Sequence, residues 1–302
     1  MRSCFRYGYV LLFILFISPS IFATPELISY SSGGSLPGAG TNDWWYGCSP
    51  TSAGMLLGWY DRNGYPNLVG GGDAETSTFG NPGALINSAI ASSGHINDFY
   101  GGLSPSGGYG LSGDDAVAPL HSFNCLADFM GTSQDAYGNT NGSTSFWYYG
   151  DNSPLTADDI YSYGAYHYNK SGMYGIGEYI NYCGYEVEAL YNQYIYGYKG
   201  IEAGFTYEQY KAEIDAGRGV LIQVQNHTMY GYGYIDGTDT IQVYDTWAPG
   251  GANPGTMTWG GAYPYGNGSL AHYGVTVIEL AHAPEPATIA LLCLGAMMIR
   301  RK

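Results

Sequence analysis

The sequence predicts an α+β fold with an antiparallel sheet, and three observations carry that expectation. Apolar residues recur at helical spacing early in the chain, as in Ala53, Leu56, Leu57 and Tyr60. Alternating and β-branched runs dominate the later part, as in Val220-Leu221-Ile222-Gln223-Val224 and the run from Tyr273 to Leu280. Turn signals such as Asp236-Gly237 separate neighbouring strand candidates by few residues, which pairs them antiparallel. The 302 residues suit one large domain or two ordinary ones. Apolar residues make up 45% and aromatics 16%, which excludes a disordered chain. No fixed period argues for a solenoid.

In order along the chain, residues 24–43 are rich in Gly and Ser and read as extended. A helix follows Cys48, with Pro50 in its first turn and Asn63-Gly64 and Tyr65-Pro66 to stop it. Residues 66–115 read as loop, dense in Gly, Ser and Asn. Leu120, Phe123, Ala127 and Met130 mark a second amphipathic helix, and 131–155 is again polar loop. Asp158 to Tyr182 is expected to be helical in parts, stopping at Cys183-Gly184, with a strand over Tyr185 to Tyr191. Thr206 and Gln209 have the spacing of a capping box, and the helix they open ends at Gly217. One strand is expected from Val220 to His227, with Val220, Ile222 and Val224 on one face and Leu221, Gln223, Gln225 and His227 on the other. Gly231 to Ile235 continues extended, Thr240 to Trp247 returns, 248–268 is loop, and Tyr273 to Leu280 is the last strand.

Five of the ten basic residues, Arg2, Arg6, Arg300, Arg301 and Lys302, sit at the ends, leaving 5 against 25 acidic ones over the rest. So acidic a body repels phosphate backbones, and nucleic acid is excluded as a partner. Arg2 and Arg6 precede the apolar run Val10 to Ile17 and a small-residue end at Ala23, which is the pattern of a cleaved secretory signal over 1–23. At the other end Pro284-Glu285-Pro286 leads into an apolar run of 13 residues, Ala287 to Ile299, and three cations. That run would reach about 20 Å, thin against a hydrocarbon core of about 30 Å. This tail, 283–302, resembles a PEP-CTERM sorting signal. The resemblance implies a short membrane anchor held by its basic tip, cleavage by an exosortase-type enzyme, and a mature product at the cell surface or in the extracellular matrix.

With Cys4 and Cys293 in the two end segments, an exported chain keeps Cys48, Cys125 and Cys183. Three is odd, so at least one thiol has no intrachain disulfide. A Cys125–Cys183 bridge is one of three pairings, and all three residues also fit as small buried hydrophobes.

Chemistry concentrates on Cys48, His227 and Asp245. Gly47 permits a tight turn into the helix, and the thiol lands at the helix N-terminus, where the dipole favours a thiolate. His227 is the candidate base and later acid for acyl transfer. Asp245, 18 residues on, is brought back by the returning strand to orient the imidazole. The Cys48 backbone N–H and the Asn42 side-chain amide are the candidate oxyanion donors. His272 is the rival base, but only Glu279 follows it before Pro284, on the opposite face by alternation. His95, His121, His167 and His282 show no partner pattern. Neither HExxH nor a paired CxxC occurs, which disfavours zinc on Cys48, His227 and Asp245, and no cofactor is expected.

The run Gly47-Cys48-Ser49-Pro50-Thr51-Ser52-Ala53 resembles the nucleophile segment of papain-like cysteine peptidases, closest to the bacteriocin-processing, double-glycine-leader branch and its secreted relatives. Gly219-Val220-Leu221-Ile222, His227, Gly231-Tyr232-Gly233-Tyr234 and Ile241-Gln242-Val243-Tyr244-Asp245 resemble that branch's histidine–aspartate hairpin. The resemblance covers about fifty residues and implies a papain-like peptidase domain over 24–282, a Cys-His-Asp triad, a thioester acyl-enzyme and a peptide or protein substrate. Two departures accompany it. Asn42 stands where the branch has Gln, and Cys48 and His227 are 179 residues apart, beyond the ~130–150 of papain-type chains, which implies an insertion within about 66–200. Asn42 and the acidic, Tyr- and Gly-rich body also fit a non-catalytic surface protein on a peptidase-like scaffold, with an exopolysaccharide matrix as its partner.

Overall fold

The computed structural model describes residues 47–71, 84–99, 120–246 and 254–281. The expected signal segment, Asn42 and the tail from 283 lie outside these residues. Among the described residues eight strands form an antiparallel sheet beside eight helices, so the α+β expectation holds. The helices are α1 (Cys48–Arg62), α2 (Ala84–Ile90), α3 (Ser93–Phe99), α4 (Leu126–Phe129), α5 (Ala157–Ser162), α6 (Ala165–Tyr168), α7 (Gly172–Tyr182) and α8 (Tyr207–Asp215). The strands are β1 (Leu155–Thr156), β2 (Val187–Tyr194), β3 (Val220–Val224), β4 (His227–Ile235), β5 (Thr240–Tyr244), β6 (Pro254–Thr258), β7 (Ala262–Tyr265) and β8 (Gly268–Leu280). Their order is β1-β2-β8-β3-β4-β5-β6, with β7 pairing the start of β8. No helix among the described residues is long and apolar enough to cross a membrane.

Both faces of the sheet are covered. Leu221, Tyr230, Tyr232, Tyr244 and Ile278 join the apolar cluster built on α1. Val220, Ile222, Val224, Met229, Val243 and Val275 join a second cluster with Tyr210 and Ile214 of α8. Burial on both faces explains why β3 is apolar at four of its five positions. The helix α1 is buried from Ser49 to Asp61, not on one stripe, because α2, α4 and α7 cover the side turned from the sheet. Trp59 donates its indole N–H to the Gly217 carbonyl at 2.9 Å, and the Tyr60 hydroxyl donates to the Ile278 carbonyl at 2.8 Å, fixing the helix against the sheet.

Several boundaries differ from those the sequence predicts. The strand expected from Val220 to His227 is two strands joined by a turn at Gln225-Asn226, with Asn226 at φ 56 and Val224 paired with His227. The segment read as loop over 66–115 holds α2 and α3, whose seven residues each are too few to display a helical period. The amphipathic helix expected from Leu120 to Met130 shrinks to α4, with Leu120 84% exposed. The last expected loop contains β6 and β7, and the strand expected from Tyr185 runs instead from Val187 to Tyr194. The capping box on Thr206 and Gln209 forms in both directions, and Gly217 takes φ 76 just beyond α8. Cys48, Cys125 and Cys183 are all thiols, so the Cys125–Cys183 bridge is absent.

Candidate active site

The position of Cys48 begins with Gly47. Gly47 takes φ 98, and a Cβ there would come within 2.7 Å of the Gly142 carbonyl oxygen and 2.9 Å of Thr132 Cγ2. Only glycine fits both the backbone and the space. The Gly47 carbonyl accepts from the Thr51 hydroxyl at 2.8 Å, which closes the first turn of α1. Gly47, as the N-cap, has no side chain to offer the first turn, and the positive end of the helix dipole lies at the half-buried Cys48.

Opposing effects set the thiol. Burial pushes its pKa up, but the charge and hydrogen bond of the adjacent His227 ring and the backbone N–H of Thr228 pull it down, to about 7 against an ordinary 9.0. The Ser49 hydroxyl lies 3.9 Å from the sulfur and 2.8 Å from Thr228 Oγ1. Thr228 spends its own proton on Gln223 Oε1 at 2.8 Å, so the Ser49 proton goes to Thr228 and adds little at the sulfur.

His227 opens β4 and is buried. Its Nε2 lies 2.6 Å from the backbone carbonyl oxygen of Asp245, with the Thr246 hydroxyl at 3.5 Å. A carbonyl only accepts, so Nε2 carries the proton, and the same ring hydrogen-bonds the Cys48 thiol. Asp245 therefore does stand beside His227, as expected, but the orienting contact runs through its main chain. Its carboxylate accepts from the Tyr263 hydroxyl of β7 at 2.7 Å. Tyr263 thus takes the carboxylate from another strand, while the buried Thr246, next in the chain, takes φ 64, a conformation that a β-branched residue rarely adopts.

A cavity of about 630 Å³ opens over these groups. Cys48, His227 and Thr228 form its floor, the loop Asn141–Phe146 one wall, and Tyr265 and Tyr273 another. A hydrogen-bonded chain runs from its floor into the sheet: Gln223 Nε2 donates to Thr276 Oγ1 at 3.2 Å, which donates to Asn192 Oδ1 at 2.7 Å. Asn192 Nδ2 in turn donates to the Trp147 carbonyl at 3.1 Å. Sequence reasoning missed Thr228 and the wall 141–146. Thr228 was findable as the neighbour of His227, whereas nothing local marks the wall. Asn42, the second oxyanion candidate, lies outside the described residues, and the Cys48 N–H remains at the helix start.

The other histidines separate clearly. His272 is buried, accepts from the Gly260 N–H at 3.2 Å and packs edge-on against Trp259, and burial lowers its pKa to about 4. His167 lies beside Trp147 with Nδ1 3.1 Å from the Tyr163 carbonyl, and His282 lies outside the described residues. His95 and His121, which show no partner pattern in the sequence, both meet Asp128.

A thiol, an imidazole with a carbonyl on its Nε2, and a helix start around one cavity are the groups that acyl transfer would use as nucleophile, base and one oxyanion donor. No family model matches the chain, and neither a curated protein nor a solved structure matches it.

Proposed function

We propose that the protein is an exported cysteine peptidase of papain-like fold, with Cys48 as nucleophile, His227 as base and then acid, and Asp245 as the residue that orients His227. The observation that carries this reading is the Cys48 thiol against the His227 ring at the floor of the cavity, with its pKa drawn down to about 7. His227 Nδ1 takes the thiol proton, and the thiolate attacks a peptide carbonyl, forming the C–S bond. The oxyanion draws on the Cys48 N–H, with Asn42 as the second donor. Collapse breaks the C–N bond as His227 protonates the leaving amine. Water, deprotonated by His227, then cleaves the thioester, releasing the acid and restoring the thiol. Between steps the Asp245 carbonyl holds the imidazole by its Nε2–H.

The two ends complete the proposal. The signal-like segment 1–23 implies export, and the tail 283–302 implies transient anchoring and then release by an exosortase-type enzyme to the surface or matrix. Cys48→Ala is expected to abolish both hydrolysis of an unfolded protein substrate and labelling by a thiol-directed epoxide. Hydrolysis that survives the substitution overturns the assignment.

A second reading, a non-catalytic protein binding an exopolysaccharide matrix, draws on the exposed rings of Tyr161, Tyr163, Tyr166 and Tyr182. It expects no epoxide labelling of Cys48, together with retention on polysaccharide.

A further inference from the structure

A second cluster of chemically capable side chains lies on the helical part of the molecule, on elements that contribute nothing to the Cys48 cavity. We propose that His95, Cys125, Asp128 and His121 form a structural site for a zinc-class divalent cation. His95, Cys125 and Asp128 are fully buried, and one ligand atom from each lies within 4.8 Å of the other two. His95 Nδ1 is 2.8 Å from Asp128 Oδ1. His121 Nε2 is 3.1 Å from both Asp128 oxygens. One sulfur, one nitrogen and one oxygen thus converge, and the His121 ring adjoins them at Asp128. Around a tetrahedral ion with bonds of about 2.0–2.3 Å, ligand atoms stand about 3.3–3.7 Å apart, so the two imidazole nitrogens, at 2.8 and 3.1 Å from Asp128, would have to draw back from it by about 1 Å or less.

Asp98 Oδ2 lies 2.7 Å from His121 Nδ1, the carboxylate–histidine pairing that would keep a proton on Nδ1 while Nε2, now donating toward Asp128, gave up its own as the ion entered. Asp98 is itself fixed by the Leu120 N–H at 2.5 Å, and Asp128 by the Asn124 N–H at 3.1 Å. Burial and the neighbouring Asp128 carboxylate keep the Cys125 thiol protonated, so it would give up its proton only as the cation entered.

The donor set decides the class of ion. Calcium and magnesium take oxygen ligands, whereas a thiolate with two imidazoles and a carboxylate suits zinc. With His121 as the fourth protein ligand the site would be closed, hence structural and not catalytic. It would fasten α3, which carries His95 and Asp98, to the segment from His121 to Asp128.

The test uses the full chain in a Cys48→Ala background, so that the thiol–imidazole pair of the cavity contributes no metal and the outcome is independent of the peptidase reading. Protein purified with zinc present and then desalted is expected to retain one ion per chain by elemental analysis. Its cobalt form is expected to show a thiolate-to-cobalt charge-transfer band and tetrahedral visible bands. Cys125→Ser should remove the charge-transfer band. Asp98→Asn, which keeps all four ligands, should weaken zinc binding about 10–100-fold. Absence of stoichiometric metal from the desalted parent, or a charge-transfer band that survives Cys125→Ser, overturns the proposal. Should Cys125→Ser fail to fold, an unchanged zinc affinity in Asp98→Asn overturns it equally.

Discussion

Burial and a neighbouring imidazole pull the Cys48 sulfur in opposite directions, and the imidazole side wins: the pKa falls from an ordinary 9.0 to about 7. The sign of the pH dependence follows. Thiolate forms as pH rises through the lowered value, so alkylation of Cys48 by iodoacetamide should climb from pH 6 and reach half its maximum near pH 7. In His227→Ala the lowering influence is gone while burial stays, and the midpoint should move up toward 9 or beyond. Peptide mapping separates the signal, because burial pushes Cys183 up to about 11 and Cys125 higher still. A midpoint that His227→Ala leaves unmoved would remove the imidazole from the account. At this scale the sequence singled out Cys48 and His227, which the structure sets side by side, but not the atom of Asp245 that meets the ring. Whether Asp245 offers its carboxylate or its carbonyl depends on the turn at Thr246 and on Tyr263, which reaches the carboxylate from another strand.

Gly47 governs how α1 presents Cys48. Gly47→Ala places a methyl at φ 98 and within 2.7 Å of the Gly142 carbonyl, so the helix start and the wall 141–146 must separate. The expected cost is about 1–3 kcal/mol in chemical denaturation, with slower labelling of Cys48 in the folded protein. A variant as stable and as reactive as the parent would show that the turn does not position the thiol. Elements with chemical punctuation were legible: α1 has Pro50 and the Asn63-Gly64 stop, and α8 has its capping box and Gly217. The break between β3 and β4 was not, because Gln225-Asn226 lacks the glycine that usually announces a tight hairpin, and Asn226 supplies the positive φ itself. The register places Thr228 opposite Gln223, so Thr228 takes the polar position beneath the Cys48 helix. The strands β6 and β7 escaped because Gly, Pro and exposed residues interrupt their alternation.

The whole molecule rests on a sheet covered on both faces, with β3 between β8 and β4 at its centre. Ile222→Ala should therefore cost about 2–5 kcal/mol, read as a lower denaturation midpoint at unchanged slope. A loss under about 1 kcal/mol would mean that the α8 side of the sheet collapses around the vacancy. The antiparallel α+β class was already contained in the sequence, since alternation, helical spacing and turn residues are short-range patterns that each stretch of chain carries by itself. So were the helix-borne thiol and the late strand-borne imidazole. The meeting of His95 and His121 with Asp128, the wall over Cys48 and the choice of the Asp245 carbonyl were decided by tertiary structure alone. Each depends on which distant segments close against one another, and that closure is fixed by the packing of the entire core and leaves no local signature in the residues it brings together.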